Sequence, residues 1–475
     1  MDMEKRPLIK ALETYTKEET SRFHMPGHRN GKTVPSLAFL QEHLYDFDVT
    51  EIDGTDHLHY PEESIKASQI LLAKAMGSKE SCYCVNGSTA VNYAMIFGLL
   101  KPGDEVLLER SCHQSVFQAL GLRGLKPRFI KPQLDPEWAL PLPPALTDIQ
   151  EAYEKYPMIK AVILTSPNYY GKVAPLKEIS HFLKMRGLYL IVDEAHGAHF
   201  AFSDKLPPTA MAMGAHVSSV SFHKTLPVLT QGAVLNLSED LQESERSRIR
   251  HYLRVFQTSS PSYTMLVSME NARALMEEEG EALYDQLLGE ARLLREQLAR
   301  IPQVEVYGNE DAFTDAARLV IRTPLPGEFL MGELRKKHRI QAEMTLGNIV
   351  VFILSPFDRK EDLERLPEEI AAVRTENEEL WAGPFSPFIL HYSEEMELLY
   401  DLEEILFLEQ EEIPVENAFG RISAETITPY PPGIPLILPG ERIGEKEVRL
   451  LVELFQGNGI LKSASKSKMG ITVLK

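Results

Sequence analysis

The chain has 475 residues, too many for one ordinary hydrophobic core, so its length predicts two or three packed units. Its 69 acidic and 50 basic residues give a formal net charge of −19, which makes nucleic acid and anionic membranes poor partners. With 44% hydrophobic and 25% charged residues, the composition is typical of a globular protein and not of a disordered one.

The cysteines and the start of the chain indicate the compartment. Cys82, Cys84 and Cys112 are odd in number and lack CxxC spacing, so we expect neither a disulfide framework nor a metal site. The first residues lack the apolar stretch of a signal peptide, and nowhere do 18 apolar residues run together. We therefore expect a cytoplasmic protein without a membrane segment.

In chain order, the first predicted elements are a short helix over residues 1 to about 20 and a helix over 61–77, with the polar segment 23–31 between them. Short apolar runs then alternate with helical stretches, which predicts a mainly parallel α/β sheet with helices on both faces. The predicted strands are Ser81–Val85, Glu105–Glu109, Arg128–Lys131, Ala161–Thr165, Leu188–Asp193, Val217–Ser221 and Gly232–Leu237.

The second half of the chain predicts a smaller α/β unit. A long helix over about 262–300 leads into short strands at Val304–Tyr307, Arg318–Arg322 and Asn348–Leu354, then an acidic helix over about 359–378. The proline-rich stretch 381–387 is predicted to be a linker. The domains expected from this pattern are an N-terminal segment (1–50), a large cofactor-binding domain (51–300), a small α/β domain (301–385) and a C-terminal domain (386–475).

Two charged residues follow adjoining predicted strands. Asp193 ends an apolar strand, and Lys224 comes just after the next one. Ligands of such sheets collect at the carboxyl ends of the strands, so we expect the two side chains to lie close together. A pyridoxal phosphate (PLP) enzyme needs this pair, because the lysine forms the Schiff base and the acid holds the pyridine nitrogen protonated. A helix cap or a structural salt bridge is the alternative role for Asp193.

The tetrapeptide Asn86-Gly87-Ser88-Thr89 lies between a predicted strand and a predicted helix. N–H groups at a helix start, a glycine that permits close approach and two hydroxyls are suited to binding a phosphate. An ordinary N-cap is the alternative. Ser221 and His223 are candidates to donate to the same phosphate.

Three further patterns bear on the chemistry of the chain. His113 follows the strand ending at Glu109, where a flat ring can stack on a cofactor. The sequence Asp193-Glu-Ala-His196 resembles a helicase Walker B motif, but the chain has no GxxxxGK[ST] loop, which excludes that function. A metal cluster of Asp193, Glu194, His196 and His199 is disfavoured because it lacks HExxH spacing.

Together these motifs resemble, over almost the whole chain, the short form of the bacterial PLP-dependent ornithine/lysine/arginine decarboxylases. The resemblance implies the aspartate-aminotransferase type of fold (fold type I). It is carried by Phe23–His28, Asp48–Pro61, Asn86–Thr89, Arg110–Ser115, Asp193–His199, Ser221–Lys224, Leu229–Gly232 and the Tyr430-Pro-Pro-Gly-Ile-Pro segment.

The resemblance assigns roles to residues of the expected site. It implies that Lys224 carries the Schiff base and that Asp193 pairs with the pyridine nitrogen. It also implies that His113 stacks on the ring, with His196 as a further residue beside it. The residues that it implies for the phosphate are Gly87, Ser88, Thr89, Ser221 and His223. The mechanism that it implies is loss of the α-carboxylate, followed by protonation of the carbanion by Lys224 or by His223.

Departures from the family pattern leave the substrate open. His57 stands where many relatives have a second acid, and Ser111 and Gln114 replace a common Asn and Lys. We expect lysine or arginine before ornithine, a product that feeds polyamine synthesis, and a homodimer or dimer of dimers. Glu425 and Asp56 are the candidates for the distal cation. The alternatives are another fold-type-I reaction (transamination, elimination or aldol cleavage) and a catalytically idle family member.

Overall fold

A computed structural model describes residues 5–34, 36–308, 313–381, 398–429, 434–456, 461–462 and 470–475. The helices are α1 (Pro7–Lys17), α2 (Ser36–Glu42), α3 (Ser64–Ala75), α4 (Gly87–Leu99), α5 (Gln114–Arg123), α6 (Leu146–Lys155), α7 (Leu176–Lys184), α8 (Phe222–Thr225), α9 (Glu243–Val255), α10 (Tyr263–Leu298), α11 (Gly327–Lys337), α12 (Lys360–Glu376), α13 (Glu378–Trp381) and α14 (Glu445–Gln456).

Strands alternate with these helices along most of the chain. They are β1 (Ser21–Phe23), β2 (Glu80–Cys84), β3 (Glu105–Glu109), β4 (Lys126–Ile130), β5 (Gln133–Leu134), β6 (Pro141–Leu142), β7 (Ile159–Thr165), β8 (Tyr189–Asp193), β9 (Val217–Val220), β10 (Ala233–Leu237), β11 (Glu305–Val306), β12 (Arg318–Arg322), β13 (Ile340–Ala342), β14 (Met344–Leu346), β15 (Ile349–Ile353), β16 (Gln410–Pro414), β17 (Thr428–Pro429), β18 (Leu461–Lys462) and β19 (Gly470–Leu474).

A seven-stranded sheet forms the centre of the large unit, in the order β2-β10-β9-β8-β7-β3-β4. Only β10 within it runs antiparallel to its neighbours. Alternate side chains of β8 enter two cores, Leu190 and Val192 on one face and Ile191 on the other. Because both faces are covered, β8 has an apolar run, Leu190–Val192, before the terminal Asp193. The predicted α/β fold with a mainly parallel sheet is confirmed, and all seven predicted strands belong to it.

The register of the parallel strands brings their carboxyl ends to one edge. Thr165 of β7 lies beside Asp193 of β8, and Asp193 lies beside Ser219 of β9. The chain leaves β9 through Ser221 directly into the one-turn helix α8, which carries Lys224. The fold therefore brings Asp193 and Lys224 to the same edge of the sheet, as the strand pattern predicts.

A four-stranded antiparallel sheet, β11-β12-β15-β14, forms the small unit. The 36-residue helix α10 leads to it from the large unit. Near the start of the chain, β1 pairs in parallel with β13, so this segment belongs structurally with the small unit. The strands β1, β13 and β14 were not predicted, because two- or three-residue pairings leave no periodicity to detect.

The C-terminal part is tied to the sheet edge by a buried arginine. Arg110, just after β3, pairs with Glu441 at 2.9 Å and donates to the carbonyl oxygen of Pro435 at 2.7 Å. The predicted linker residues 382–387 and the motif residues 430–433 lie outside the described residues, and the predicted domain boundaries stay predictions. Along the described chain, no helix has the length and apolarity needed to cross a membrane.

Candidate active site

A cavity of about 600 Å³ opens at the carboxyl edge of the large sheet, between that edge and the small unit. Its walls contain every residue predicted to bind the cofactor: Gly87, Ser88, Thr89, His113, Asp193, His196, Ser221, His223 and Lys224. The walls also contain residues that were not predicted, among them Met25, Pro26, Asn92, Ser115, Tyr169 and Glu343.

The buried carboxylate of Asp193 is held by donors from two directions. One oxygen accepts the backbone N–H of Ala195 at 3.1 Å, and the other accepts the Asn92 amide at 2.9 Å. Among the described residues, no lysine, arginine or histidine forms a salt bridge with it. A structural salt bridge is therefore not its role here, and a pyridinium nitrogen would supply the missing positive partner.

Asn92 connects Asp193 to His113. The Asn92 amide also donates to the Ser115 hydroxyl at 3.0 Å, and that hydroxyl lies 2.9 Å from Nδ1 of His113. The backbone N–H of Ser115 also donates to this nitrogen, so Nδ1 accepts, and a neutral ring carries its proton on Nε2. The network fixes the orientation of the His113 ring in the cavity wall. Stacking on a cofactor stays a prediction.

The start of α4 is suited to a phosphate. Asn86 does not cap the helix with its side chain, because its Oδ1 accepts the N–H of Thr258 at 3.2 Å. The hydroxyls of Ser88 and Ser221 meet at 2.6 Å across the cavity wall. Helix N–H groups and hydroxyls from two sides thus converge, which is the donor set that a phosphate needs.

Lys224 is half-buried and lies close to two other basic side chains. Its Nζ is 3.1 Å from Nε2 of His196, and Nδ1 of the same ring accepts from Nη2 of Arg318 at 2.9 Å. Burial lowers the pKa of Lys224 to about 8; Asp193 opposes this shift and Arg318 adds to it. Burial, with the charges of Lys224 and Arg318, also holds the pKa of His196 well below its ordinary value.

These contacts determine where the protons lie. A guanidinium has no acceptor, so Nδ1 of His196 must accept from Arg318. The neutral ring then carries its proton on Nε2 and donates it towards Nζ of Lys224. Only an uncharged amine can accept that hydrogen bond. The surroundings therefore favour the nucleophilic form of Lys224.

His223 also adopts a defined tautomer. Its Nδ1 donates to the carbonyl oxygen of Gly232 at 3.0 Å. Burial lowers the pKa of His223 to about 4, so the ring is neutral and its Nε2 is an acceptor. In this state Nε2 accepts a hydrogen bond or a proton, and it donates to a phosphate only after protonation.

The segment before α2 passes directly behind Lys224. Gly27 donates its N–H to the carbonyl oxygen of His223 at 2.9 Å, and a Cβ at residue 27 would lie 2.5 Å from the oxygen of Leu226. Two residues on, the buried Arg29 pairs with Asp358 and donates to the carbonyl oxygen of Ile353 at 2.6 Å. The segment thus joins the lysine-bearing turn to the small unit.

The two predicted substrate acids are not brought into the cavity of the same chain. The carboxylate of Asp56 accepts the N–H of Glu63, just before α3, at 2.9 Å and the N–H of Ile65, in its first turn, at 2.8 Å. Glu425 is buried in the C-terminal part, where its carboxylate accepts the N–H of Thr472. Both acids have structural hydrogen bonds, and neither lines the described cavity.

Two members of the disfavoured metal cluster also have structural roles. Glu194 accepts the N–H of Ala210 at 2.8 Å, and burial raises the pKa of its carboxyl to about 8. His199 pairs with Asp315 of the small unit at 3.0 Å. These side chains hold the loop after β8 in place around Asp193.

Several side chains of this site were missed from the sequence, among them Asn92, Arg318 and Glu343. Asn92 could have been found from the sequence, because it is a polar residue in an otherwise apolar stretch of α4. In the structure its side chain is only 2% exposed. Arg318 begins a predicted strand and Glu343 lies between two strands that were not predicted. In the sequence, neither residue can be distinguished from an ordinary charged surface residue. Only the tertiary fold brings Arg318 to His196 and Glu343 to the cavity.

The residues present fit PLP. The described cavity offers a carboxylate without a cationic partner among the described residues, a helix start suited to a phosphate and a lysine with a lowered pKa, all at one sheet edge. These groups match the three parts of the cofactor, namely ring nitrogen, phosphate and aldehyde.

Comparison with known proteins identifies the family. Residues 6–360 match the model of the Orn/Lys/Arg decarboxylase major domain, and residues 395–457 match that of the Orn/Lys/Arg decarboxylase C-terminal domain. Uncharacterized protein YaaO of Bacillus subtilis is 35% identical over 96% of this chain and 97% of its own length. The arginine decarboxylase of Bacillus subtilis is 30% identical over 94% of this chain and 93% of its own length.

A solved structure supports the same fold. Lysine decarboxylase A from Pseudomonas aeruginosa superposes with a TM-score of 0.79 at 17% identity, covering 99% of this chain and 82% of that one. This likeness concerns the fold alone. With both family models matched, the chain belongs to the Orn/Lys/Arg decarboxylase family and is a PLP-dependent amino-acid decarboxylase.

Proposed function

We propose that the protein decarboxylates lysine or arginine, in preference to ornithine, and that the amine product feeds polyamine synthesis. The observation that carries the proposal is the presence in one cavity of Lys224, whose pKa is lowered to about 8, and the carboxylate of Asp193. The 30% identity to an arginine decarboxylase over nearly the whole chain supports the choice of a basic substrate.

When bound, PLP supplies an aldehyde for amino groups and an electron-accepting ring that lets the α-carboxylate leave as carbon dioxide. Asp193 holds positive charge on the ring nitrogen, while Asn92 and Ala195 keep its carboxylate in position. The start of α4, with Ser88 and Ser221, binds the phosphate. Lys224 provides the amine that holds the cofactor before the substrate arrives.

Proton delivery after loss of carbon dioxide falls to Lys224 or His223. Nζ of Lys224 can take up a proton near neutral pH, because its pKa is about 8. Nε2 of His223 is unprotonated near neutral pH and would first have to gain a proton. We therefore propose Nζ of Lys224 as the donor.

The proposed assembly is a homodimer or a dimer of dimers. Helix α1 buries none of its residues within the chain, although Leu8 and Leu12 are 71% and 54% exposed. Phe39 and Tyr45 are also exposed. A helix with no residue buried in its own chain and with exposed large apolar side chains is suited to a surface covered by another subunit. Light scattering on the purified protein measures the mass directly.

Carbon dioxide release across a panel of amino acids tests the function. We expect release from L-lysine or L-arginine, less from L-ornithine, and loss of at least about 1000-fold in Lys224→Ala. Amino transfer to a keto acid without carbon dioxide release would instead indicate a transaminase. A normal cofactor absorbance band without any turnover would indicate an idle family member.

A further inference from the structure

Glu343 lies in the cavity wall contributed by the small unit, in the single position between β13 and β14. Its carboxylate is fixed by two donors. Oε1 accepts from the Tyr169 hydroxyl at 2.7 Å, and Oε2 accepts from the backbone N–H of Met25 at 2.9 Å. A carboxylate has about four acceptor positions, so both oxygens can accept further hydrogen bonds.

This carboxylate has no cationic partner among the described residues. No described lysine, arginine or histidine forms a salt bridge with it, although buried acids elsewhere in the fold, such as Asp358 and Glu441, pair with arginines. A half-buried anion without a counter-ion carries a desolvation cost that a bound cation offsets. The two donors orient the carboxylate, but they do not neutralise it.

The other carboxylate and the lysine of the described cavity are both suited to the cofactor. Asp193 is suited to the ring nitrogen, and Lys224 is the one lysine or arginine in the described walls. Lys224 is the residue that would hold the cofactor. Glu343 is then the carboxylate in these walls that remains for the side-chain cation of a substrate.

We propose that Glu343 binds the distal cation of the basic amino acid, the ammonium of lysine or the guanidinium of arginine. The proposal rests on the proposed function and adds the residue that selects a cationic side chain over a neutral one. Tyr169 and Met25 act as positioning residues, because they hold the carboxylate in the wall of the cavity.

The test compares a cationic amino acid with its neutral analogue, arginine with citrulline and lysine with norleucine, in the wild-type holoenzyme and in Glu343→Gln. A charge-assisted hydrogen bond contributes about 10- to 100-fold in affinity. We expect Glu343→Gln to lower kcat/KM for the cationic substrate by about that factor, mainly through KM, and to leave the neutral analogue within about threefold. Tyr169→Phe should produce a smaller change in the same direction.

A second readout does not depend on turnover. The substrate concentration that half-saturates the first change in the cofactor's visible absorbance gives the affinity for each amino acid. We expect it to rise for the cationic amino acid alone in Glu343→Gln. The control Glu278→Gln removes an equal charge from an exposed position on α10 and should change neither ratio.

Either of two results would overturn the role of Glu343. One is an unchanged ratio of cationic to neutral substrate, and the other is an equal loss for both, which would indicate a merely structural carboxylate. A wild-type enzyme that releases carbon dioxide from no basic amino acid would contradict the proposed function instead. The absorbance readout would still decide the Glu343 proposal in that case.

Discussion

The two walls of the cavity differ in how clearly the sequence predicts them. The sheet-edge wall carries Asp193 and Lys224, which follow strands that the apolar pattern reveals. The small-unit wall carries Glu343, and behind it Arg318 contacts His196. The sheet-edge wall holds the groups for the cofactor. The other wall adjusts the charge at Lys224 and, by our proposal, selects the substrate.

Substitutions in the sheet-edge wall should lower the activity most. In Asp193→Asn the side chain keeps its shape but can no longer stabilise a positive ring nitrogen, so we expect kcat to fall about 100- to 1000-fold. Steady-state decarboxylation by the cofactor-saturated variant measures this. Asp204→Asn, at an exposed position, is the matched control. Activity within threefold of wild type would show that Asp193 does not serve the ring.

A substitution at Gly27 tests the contact between the N-terminal segment and the turn that carries Lys224. A methyl group there would meet the backbone of Leu226, so Gly27→Ala must displace the turn that carries Lys224. We expect a loss of about 1–3 kcal/mol in the free energy of unfolding, together with weaker cofactor binding. Chemical denaturation and cofactor titration measure the two effects.

The same substitution at an open site provides the control for Gly27. A methyl group added at Gly289, on α10, would meet open space, with no atom of another segment within 4 Å. Gly289→Ala should stabilise the fold by about 0.5–1 kcal/mol, because alanine favours a helix. If Gly27→Ala behaved like Gly289→Ala, the close approach behind Lys224 would have no energetic importance.

Substitutions of Arg318 test how the small unit affects the pKa of Lys224. Its charge contributes to the lowered pKa of Lys224, so Arg318→Met should raise that pKa from about 8. A rise of one unit makes the uncharged amine about tenfold scarcer below the pKa. The pH profile for cofactor attachment to apoprotein should therefore move to higher pH. Arg318→Lys, which keeps a cation, should shift the profile less; identical profiles for all three proteins would refute the coupling.

Asp56 should give the smallest effect, confined to stability. Its carboxylate caps α3 outside the cavity, so Asp56→Ala should lower the free energy of unfolding by about 0.5–2 kcal/mol. Asp56→Asn retains an acceptor and should lose less. An increase in KM for the basic amino acid without a loss of stability would restore Asp56 as a substrate residue.

The sequence predicted the large sheet because its short apolar runs alternate with helical stretches, a pattern that is visible locally. The position of the ligand edge followed because ligands of parallel sheets collect at the carboxyl ends of the strands. All seven strands were recognised, with ends that differ by a few residues. The same reasoning missed β13 and β14, which are too short to show a period, and with them the position of Glu343. Arg318 was missed for another reason, since its strand was predicted but its contact with His196 depends on how the two units pack.

The two acids predicted to bind the substrate show the same limit of prediction from sequence. Asp56 and Glu425 were chosen by motif, and the fold uses both carboxylates to bind backbone N–H groups. A motif can identify the residue type that a site needs. Which carboxylate faces the cavity depends on packing between distant segments, such as Met25 and Tyr169 around Glu343.

The most direct test of the central claim is to locate the cofactor on the chain. The PLP-loaded protein is reduced with borohydride, digested and analysed by mass spectrometry. We predict one cofactor per chain, attached to the peptide that contains Lys224, with complete loss of carbon dioxide release from lysine and arginine. Attachment to a different lysine, or full activity after Lys224 has been modified, would contradict the account.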